Sequence, residues 1–169
     1  MSAYRARGVT LIELMIGLVI MVLLMLAAMP FGIAWTDSNR QQQVRSELVE
    51  GMAQARSIAL RNPAGRRAGL AAATLRLRSG VLEVVVPGNT TPLWSSTVRS
   101  GTSFKLSTRD GFASATAMAS SGNPGFDCVN FDARGLRLPG ADGCSDTTLG
   151  QDRIAVGLSS QDPLYVEML

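Results

Sequence analysis

The chain has 169 residues, a net charge of +3 at pH 7 and a hydrophobic fraction of 46%. A chain of this length forms one domain with room for an anchor, and so small a net charge does not by itself indicate a nucleic-acid partner. There is no histidine, which removes the commonest general base and the commonest zinc ligand. The sequence also lacks a P-loop, a dinucleotide-binding motif and a G-x-S-x-G motif. We therefore expect no enzyme, no cofactor and no bound metal.

The N-terminal segment places two positive charges, Arg5 and Arg7, before a long apolar run. A cleaved secretory signal needs small residues just before its cleavage site, and Leu26-Ala27-Ala28-Met29 has leucine where one is required. A membrane anchor fits better, because the 22 uncharged residues from Leu14 to Trp35 form a helix of about 33 Å, which matches the hydrocarbon core. The positive charges then keep the N-terminus in the cytoplasm and send the C-terminus outward.

Glu13 is the one ionisable residue between Val9 and Trp35. A carboxylate at membrane depth costs about 2.5–3.5 kcal/mol on insertion scales, so it needs a partner or a function. A plain anchor supplies neither. The alternative is that Glu13 has no specific role and is simply a polar residue that is tolerated near the membrane interface.

The stretch Gly8-Val9-Thr10-Leu11-Ile12-Glu13-Leu14-Met15 resembles the type III signal of type IV prepilins and type II secretion pseudopilins. The resemblance implies that residues 1–8 are a leader, which prepilin peptidase removes after Gly8, and that Val9 becomes the N-methylated terminus. Val9 departs from the more usual phenylalanine. Pro30 falls at the position of the family's helix-kinking proline.

The resemblance also gives Glu13 a role, because it occupies the position of the family's glutamate. By similarity, Glu13 pairs with the amino group of Val9 in a neighbouring subunit and sets the register of the helices in a filament. Opposite charges attract far more strongly in a medium of low dielectric than in water. The implied partners are other pilins, the prepilin peptidase and, before assembly, the inner membrane, with the C-terminus in the periplasm.

A second half of the same helix follows the anchor. An apolar stripe recurs at helical spacing through Val44, Leu48, Met52, Ala55 and Ala59. Asn62-Pro63 ends the helix, because a residue before proline disfavours the α conformation. We predict one helix over residues 9–61, bent near Pro30 and loosened at residues 36–39, with residues 9–35 in the membrane or filament core and residues 36–61 amphipathic.

Residues 62–169 carry the signals of short strands. Ser79-Gly80 separates two apolar runs and predicts a two-residue hairpin turn. The predicted strands cover Leu75–Arg78, Val81–Val86, Leu93–Val98, Ser103–Ser107, Cys128–Asp132, Arg153–Leu158 and Tyr165–Met168. The predicted fold class is α+β, a pilin-like fold in which the long N-terminal helix packs on an antiparallel sheet.

Two shorter matches indicate a subfamily. The helix from Leu48 through Ala55-Arg56 to Ala59 resembles the "L…AR…A" stretch of the GspH/FimT family of minor pilins and pseudopilins. The segment from Phe131-Asp132 to Gly135 is similar to that family's "FD-x-x-G". This resemblance implies a structural subunit near the filament tip that primes assembly.

Two cysteines, Cys128 and Cys144, lie beyond the anchor, where disulfides persist. A bond between them would enclose 15 residues and contribute about 3 kcal/mol in the loop-entropy model. A C-terminal disulfide loop is also common in pilins. The alternative is a pair of unbonded thiols.

Asp142, Asp146 and Asp152 raise the question of a Ca²⁺ site, since some pseudopilins bind calcium. Their spacing matches no EF-hand, and aspartate is an ordinary turn residue. We therefore predict no metal at these positions.

Four arginines are candidates for contacts with DNA, which some FimT-type minor pilins bind during natural transformation: Arg66, Arg67, Arg134 and Arg137. The tail from Leu164 to Leu169 lacks the Gly-Arg-x-Arg motif of those members, and only 5% of residues are aromatic, which leaves few platforms for base stacking. The favoured function is a minor pilin of a type IV pilus. The alternatives are a GspH-type pseudopilin of a type II secretion system and a DNA receptor.

Overall fold

The structure is a computed structural model that describes residues 10–146, 150–158 and 161–168, without the side chains of residues 30–34. The chain divides into two compact units, Met1–Thr36 and Asp37–Leu169. The elements in chain order are α1 (Leu11–Arg61), β1 (Ala71–Arg78), β2 (Val81–Val85), β3 (Trp94–Thr97), β4 (Thr102–Ser107), α2 (Ala115–Ser120), β5 (Cys128–Asp132), β6 (Arg153–Leu158) and β7 (Leu164–Glu167). A 3-10 turn, Ala141–Gly143, precedes β6.

The first unit holds the apolar part of α1. Leu11–Met29 forms a stretch of 19 residues with a mean hydropathy of 2.8, and none of it is buried. By length and composition this stretch is able to cross a membrane. The predicted kink at Pro30 lies outside the residues whose side chains are described, and it stays a prediction.

The helix continues without a break through residues 36–39, so the predicted loosening there was wrong. An ion pair between Asp37 and Arg40, 3.2 Å apart, joins neighbouring positions of one helical face. It gives a physical reason why these poor helix formers stay helical.

α1 ends at Arg61, as Asn62-Pro63 predicted. Asn62 adopts a left-handed conformation with φ of 45°, and its N–H donates to the carbonyl oxygens of Ile58 and Ala59 at 3.0 Å. The Asn62 side chain also exchanges hydrogen bonds with the backbone of Arg66. Asparagine tolerates this conformation better than most residues, so the helix terminates cleanly.

The second unit contains two antiparallel sheets. Sheet A has the order β3-β2-β1-β5 and sheet B the order β4-β6-β7. β1 and β2 are joined at Ser79-Gly80, where both residues have positive φ, 49° and 76°. Two positive φ values in a two-residue loop match the right-handed twist of the strands, and the predicted hairpin is confirmed.

The core lies between α1 and the inner faces of the two sheets. The predicted stripe of α1, from Val44 to Ala59, is buried and packs with residues of both sheets, including Leu75, Phe131 and Ile154. Gln41 is buried beside the stripe, and its amide donates to the carbonyl oxygens of Val156 and Asp162 at 2.8 and 2.9 Å. The predicted α+β class is confirmed.

A short helix, α2, covers the outer face of sheet B. Ser114 caps it by accepting a hydrogen bond from the Ala117 N–H at 3.2 Å, and Met118 is its buried residue. Gly157 of β6 lies directly beneath, since a Cβ there would come within 2.9 Å of the Met118 sulfur. A larger residue at this position would therefore require the side chains of Ser103 and Met118 to shift.

The segment that follows β5, up to Cys144, folds back alongside β5, with a bridge between Phe131 and Arg137. The two cysteines form a disulfide, as predicted, with their Cα atoms 5.2 Å apart. Asn130 is fully buried under this loop, and its amide donates to the Ala141 carbonyl at 2.6 Å and to the Cys144 sulfur at 3.1 Å. The bond thus fastens the loop to β5.

We expect Cys128→Ser to lower the melting temperature by roughly 10 °C. The reason is that a closed loop of this length contributes about 3 kcal/mol, and each kcal/mol shifts the melting temperature of such a chain by about 2–4 °C. Thermal melts followed by circular dichroism check this in the full chain. The double variant Cys128→Ser/Cys144→Ser controls for the lone thiol. Unchanged melting in both variants would contradict the stabilising role.

Candidate functional site

The start of α1 holds the first candidate residue, Glu13, in the first helical turn. The hydroxyl oxygen of Thr10 accepts a hydrogen bond from the Glu13 N–H at 3.3 Å, and the Thr10 carbonyl accepts one from the Leu14 N–H at 3.2 Å. Thr10 is therefore the N-cap of α1. The sequence signal for this cap is Thr-x-x-Glu.

The proposed cleavage site, Gly8 and Val9, lies outside the described residues and stays a prediction. Glu13 itself is exposed, as are the large apolar side chains that follow it, such as Leu14, Ile16 and Leu24. A contiguous apolar surface of this size marks a membrane or protein contact. The registry role of Glu13 also stays a prediction.

The arginine candidates separate into exposed and buried groups. Arg66 and Arg67 are exposed, and within the described ranges no salt bridge engages either side chain. The side chain of Arg134 is 62% exposed and pairs with the buried Asp132 at 3.0 Å. The Gly69 N–H donates to that same carboxylate at 3.4 Å, so the chain two residues after Arg67 lies beside the turn that carries Arg134.

Asp132 organises this end of the domain. Its carboxylate accepts hydrogen bonds from the Arg134 and Leu136 amides at 2.9 and 3.0 Å. Burial on its own raises the pKa of Asp132, but the hydrogen bonds, led by the one from Leu136, hold that pKa below its ordinary value. The "FD-x-x-G" segment is thus a tight turn whose Gly135 has φ of 73° and abuts Arg56 and Leu60.

Arg137 lies inside the domain, and this burial argues against it as a candidate contact with DNA. Its side chain is 8% exposed, and its Nε lies 3.1 Å from the carboxylate of the fully buried Asp146. Its Nη2 donates to the Gln151 carbonyl at 2.8 Å. Burial raises the pKa of Asp146, although the hydrogen bond from Arg137 acts in the opposite direction. A guanidinium held in this way is not presented to a phosphate.

We expect Arg137→Ala to destabilise the domain far more than Arg134→Ala. Removing Arg137 leaves the Asp146 carboxylate buried without its charged partner, which costs about 3–5 kcal/mol. Removing Arg134 costs less than about 1 kcal/mol, because it is exposed and Asp132 keeps its backbone hydrogen bonds. Urea denaturation of the two variants provides the matched comparison. Equal stabilities would show that the Arg137–Asp146 pair is not structural.

Two of the three aspartates considered as calcium ligands form ion pairs with different arginines. Asp146 pairs with Arg137, and Asp152 pairs with Arg109 at 3.3 Å. In the part of the chain that the structure describes, no group of three acidic, cysteine or histidine residues is placed to hold a metal ion.

Asp127, which directly precedes Cys128, is a structural polar residue that the sequence did not indicate. Its carboxylate accepts hydrogen bonds from the N–H and hydroxyl of Ser145, both at 2.8 Å, and from the Cys128 N–H at 2.7 Å. The contact spans 18 residues, and no local pattern signals it. Asp127 therefore holds the loop in place beside the disulfide.

Comparison with known protein families gives a match at the N-terminus. Residues 4–29 match the model described as the prokaryotic N-terminal methylation motif. No curated protein and no solved structure matches the chain. The matched residues contain Gly8, Val9 and Glu13, and they run into the exposed apolar helix. The chain thus carries the prokaryotic N-terminal methylation motif next to an apolar helix and an α+β domain, and it fits a type IV pilin or pseudopilin.

Proposed function

We propose that the chain is a minor pilin, a structural and priming subunit of a type IV pilus of the GspH/FimT kind. The observation that carries this proposal is the methylation motif at residues 4–29, which continues into an exposed apolar helix. The "L…AR…A" and "FD-x-x-G" segments support the GspH/FimT assignment, and both lie at structured positions, on the buried face of α1 and in the Asp132 turn.

Processing defines the proposed mature chain. Prepilin peptidase removes residues 1–8, the amino group of Val9 is methylated, residues 9–35 anchor the subunit, and residues 36–61 carry the globular domain of residues 62–169. Arg5 and Arg7 precede the anchor, which favours a periplasmic C-terminus. The Cys128–Cys144 disulfide agrees with an oxidising compartment.

Assembly depends on two charges in an apolar surrounding. Cleavage creates an amino group at Val9, four residues from Glu13. A Glu13 carboxylate that meets this group from a neighbouring subunit is neutralised as it leaves the headgroup region. Since both charges would otherwise be unpaired in hydrocarbon, the pairing fixes the register of adjacent helices.

Deletion of the gene distinguishes the pilus from the secretion alternative. If the chain is a minor pilin that primes assembly, its deletion is expected to abolish surface pili and to leave secretion of folded enzymes intact. Electron microscopy and an exoenzyme assay give the two readouts, and plasmid-borne wild-type gene restores the phenotype. Lost secretion with normal pili would assign the chain to the GspH-type pseudopilins.

A second candidate function, a DNA receptor, draws support from three exposed arginines, Arg66, Arg67 and Arg134. Residues 51–70 contain four arginines and no acidic residue, and the neighbouring Asp132 is fully buried. Arginine side chains without exposed carboxylates favour phosphate contacts. The sparse aromatic residues and the small net charge weigh against this function.

We expect the full chain in detergent to bind duplex DNA more weakly than about 10⁻⁴ M near physiological salt. The measurement is fluorescence anisotropy of a labelled duplex over a range of salt concentrations. Binding at low micromolar protein would make DNA uptake the primary function, provided that Arg66→Ala/Arg67→Ala reduces the salt slope by about one unit per lost contact. Arg78→Ala, an exposed arginine on β1, is the matched control.

A further inference from the structure

The two cysteines of the disulfide differ in their access to solvent. Cys144 is 3% exposed, whereas Cys128, the first residue of β5, is partly exposed. A thiol that opens a disulfide must reach the sulfur atom that it attacks, so access is one of the factors that decide the site of attack. The difference in burial therefore directs an external thiol to Cys128.

A buried amide, that of Asn130, contacts the sulfur of Cys144. Asn130 is fully buried, and its Nδ2 donates to the Cys144 Sγ at 3.1 Å and to the Ala141 carbonyl at 2.6 Å. Its Oδ1 accepts a hydrogen bond from the Thr74 hydroxyl. An asparagine amide has two N–H donors and one acceptor oxygen, so this set of partners uses both donors and fixes the orientation of the amide. One N–H group is thereby held against the Cys144 sulfur.

The Asn130 contact favours a negative charge on the Cys144 sulfur. Sulfur in a disulfide is a weak acceptor, whereas a hydrogen bond to an ionised acceptor is roughly twice as strong as one between neutral groups. Burial of Cys144 disfavours a charge there, and the Asn130 N–H offsets this cost.

The neighbouring carboxylate of Asp127 does not distinguish the two sulfurs. It accepts hydrogen bonds from the Cys128 N–H at 2.7 Å and from the Ser145 N–H at 2.8 Å. Since Ser145 directly follows Cys144, this charge lies beside both halves of the bond. The difference between the sulfurs therefore comes from burial and from Asn130.

We propose that an external thiol reacts with the disulfide at Cys128, that Cys144 is the leaving group, and that Asn130 is a positioning residue for this exchange. The thiol loses its proton to solvent, and its thiolate forms an S–S bond with Cys128 while the Cys128–Cys144 bond breaks. The electron pair of the broken bond stays on Cys144 as a thiolate. A second thiol then releases Cys128, so that two thiols are oxidised to one disulfide and the protein gains two electrons.

Closing of the bond follows the same steps in reverse. A disulfide reagent first forms a mixed disulfide with Cys128, and the thiolate of Cys144 then displaces the reagent. Cys128 is thus the modification site in both directions. The proposal goes beyond the role of a filament subunit and does not depend on it.

Trapping of the mixed disulfide tests which sulfur is attacked. The oxidised full chain in detergent reacts briefly with glutathione, N-ethylmaleimide blocks the freed protein thiol, and peptide mapping by mass spectrometry assigns both adducts. We expect glutathione on Cys128 and maleimide on Cys144, in excess of the reverse arrangement by at least about tenfold. Glutathione mainly on Cys144, equal amounts on both, or opening without any glutathione on Cys128 would overturn the proposal. A bond that glutathione does not open in the folded chain would also overturn it.

Asn130→Ala and Thr74→Val separate stabilisation of the thiolate from loosening of the loop. Each removes a hydrogen bond of the same network, but only Asn130→Ala removes the N–H that faces Cys144. We expect Asn130→Ala to slow the opening by glutathione by about tenfold, whereas a loosened loop would open faster. Thr74→Val keeps the contact with the sulfur and is expected to open at least as fast as the wild type.

Thermal melts verify that both variants are folded at the assay temperature, and the trapping experiment on the wild type does not depend on them. Opening of Asn130→Ala as fast as that of Thr74→Val would overturn the role of Asn130.

Discussion

Gly8→Val is expected to leave the chain as an uncleaved precursor in the inner membrane. Gly8, the proposed last residue of the leader, has no side chain, and a valine there would crowd the active site of the peptidase. The precursor would keep residues 1–8, and its N-terminus would remain unmethylated. Immunoblots of membrane fractions, with intact-mass measurement of the purified chain, check this result.

Ser2→Val is the matched control for this experiment, because it adds the same side chain within the leader but away from the cleaved bond. We expect it to be processed like the wild type. Efficient cleavage of Gly8→Val would show that Gly8 is not the last leader residue. That result would contradict the proposed processing site after Gly8.

Glu13→Val is expected to insert into the membrane and to be processed, but to be nearly absent from filaments. Removing a carboxylate from the apolar segment favours insertion by about 2.5–3.5 kcal/mol. The same change removes the carboxylate that we propose as the partner of the neighbouring Val9 amine, which would leave an unpaired charge in the helix bundle. Blots of sheared filaments against whole cells measure the incorporated fraction.

The start of α1 should survive this substitution, since the Thr10 hydroxyl accepts its hydrogen bond from the backbone of residue 13 and not from its side chain. Glu13→Gln removes the charge but nearly keeps the shape of the side chain, and we expect this variant also to be nearly absent from filaments. Leu14→Val controls for a change of volume at the adjacent position. Normal incorporation of Glu13→Gln would mean that charge has no part in registry.

The fold was largely predictable where local patterns carry it. The stripe from Val44 to Ala59 has the 3.6-residue period of a helix face, and the structure buries it. Ser79-Gly80 provides the two positive φ values of the hairpin turn. In both cases the signal lies within a short stretch of the chain, so it can be recognised from the sequence.

The other features of the fold depend on contacts between residues that are far apart in the sequence. The separation of the strands into two sheets depends on pairings such as β1 with β5, which no local period encodes. α2 was missed because its six residues, Ala115–Ser120, are too few to show a helical period; its place depends on Gly157 lying beneath Met118.

The arginines show the same limit at the candidate site. Arg134 and Arg137 stand three residues apart and look alike in sequence. One is exposed, and the other is buried against Asp146, which follows it by nine residues across the disulfide loop. The position of that loop in the folded domain determines which of the two arginines is exposed to solvent.

The mass of the chain purified from its native membrane tests the central claim most directly. Top-down mass spectrometry of the wild type is predicted to show a chain that begins at Val9, lacks Met1–Gly8 and carries one methyl group on its terminal amine. The same spectrum reports the Cys128–Cys144 bond as two missing hydrogen atoms. A chain that still begins at Met1, or one cleaved after the apolar helix, would contradict the prepilin account.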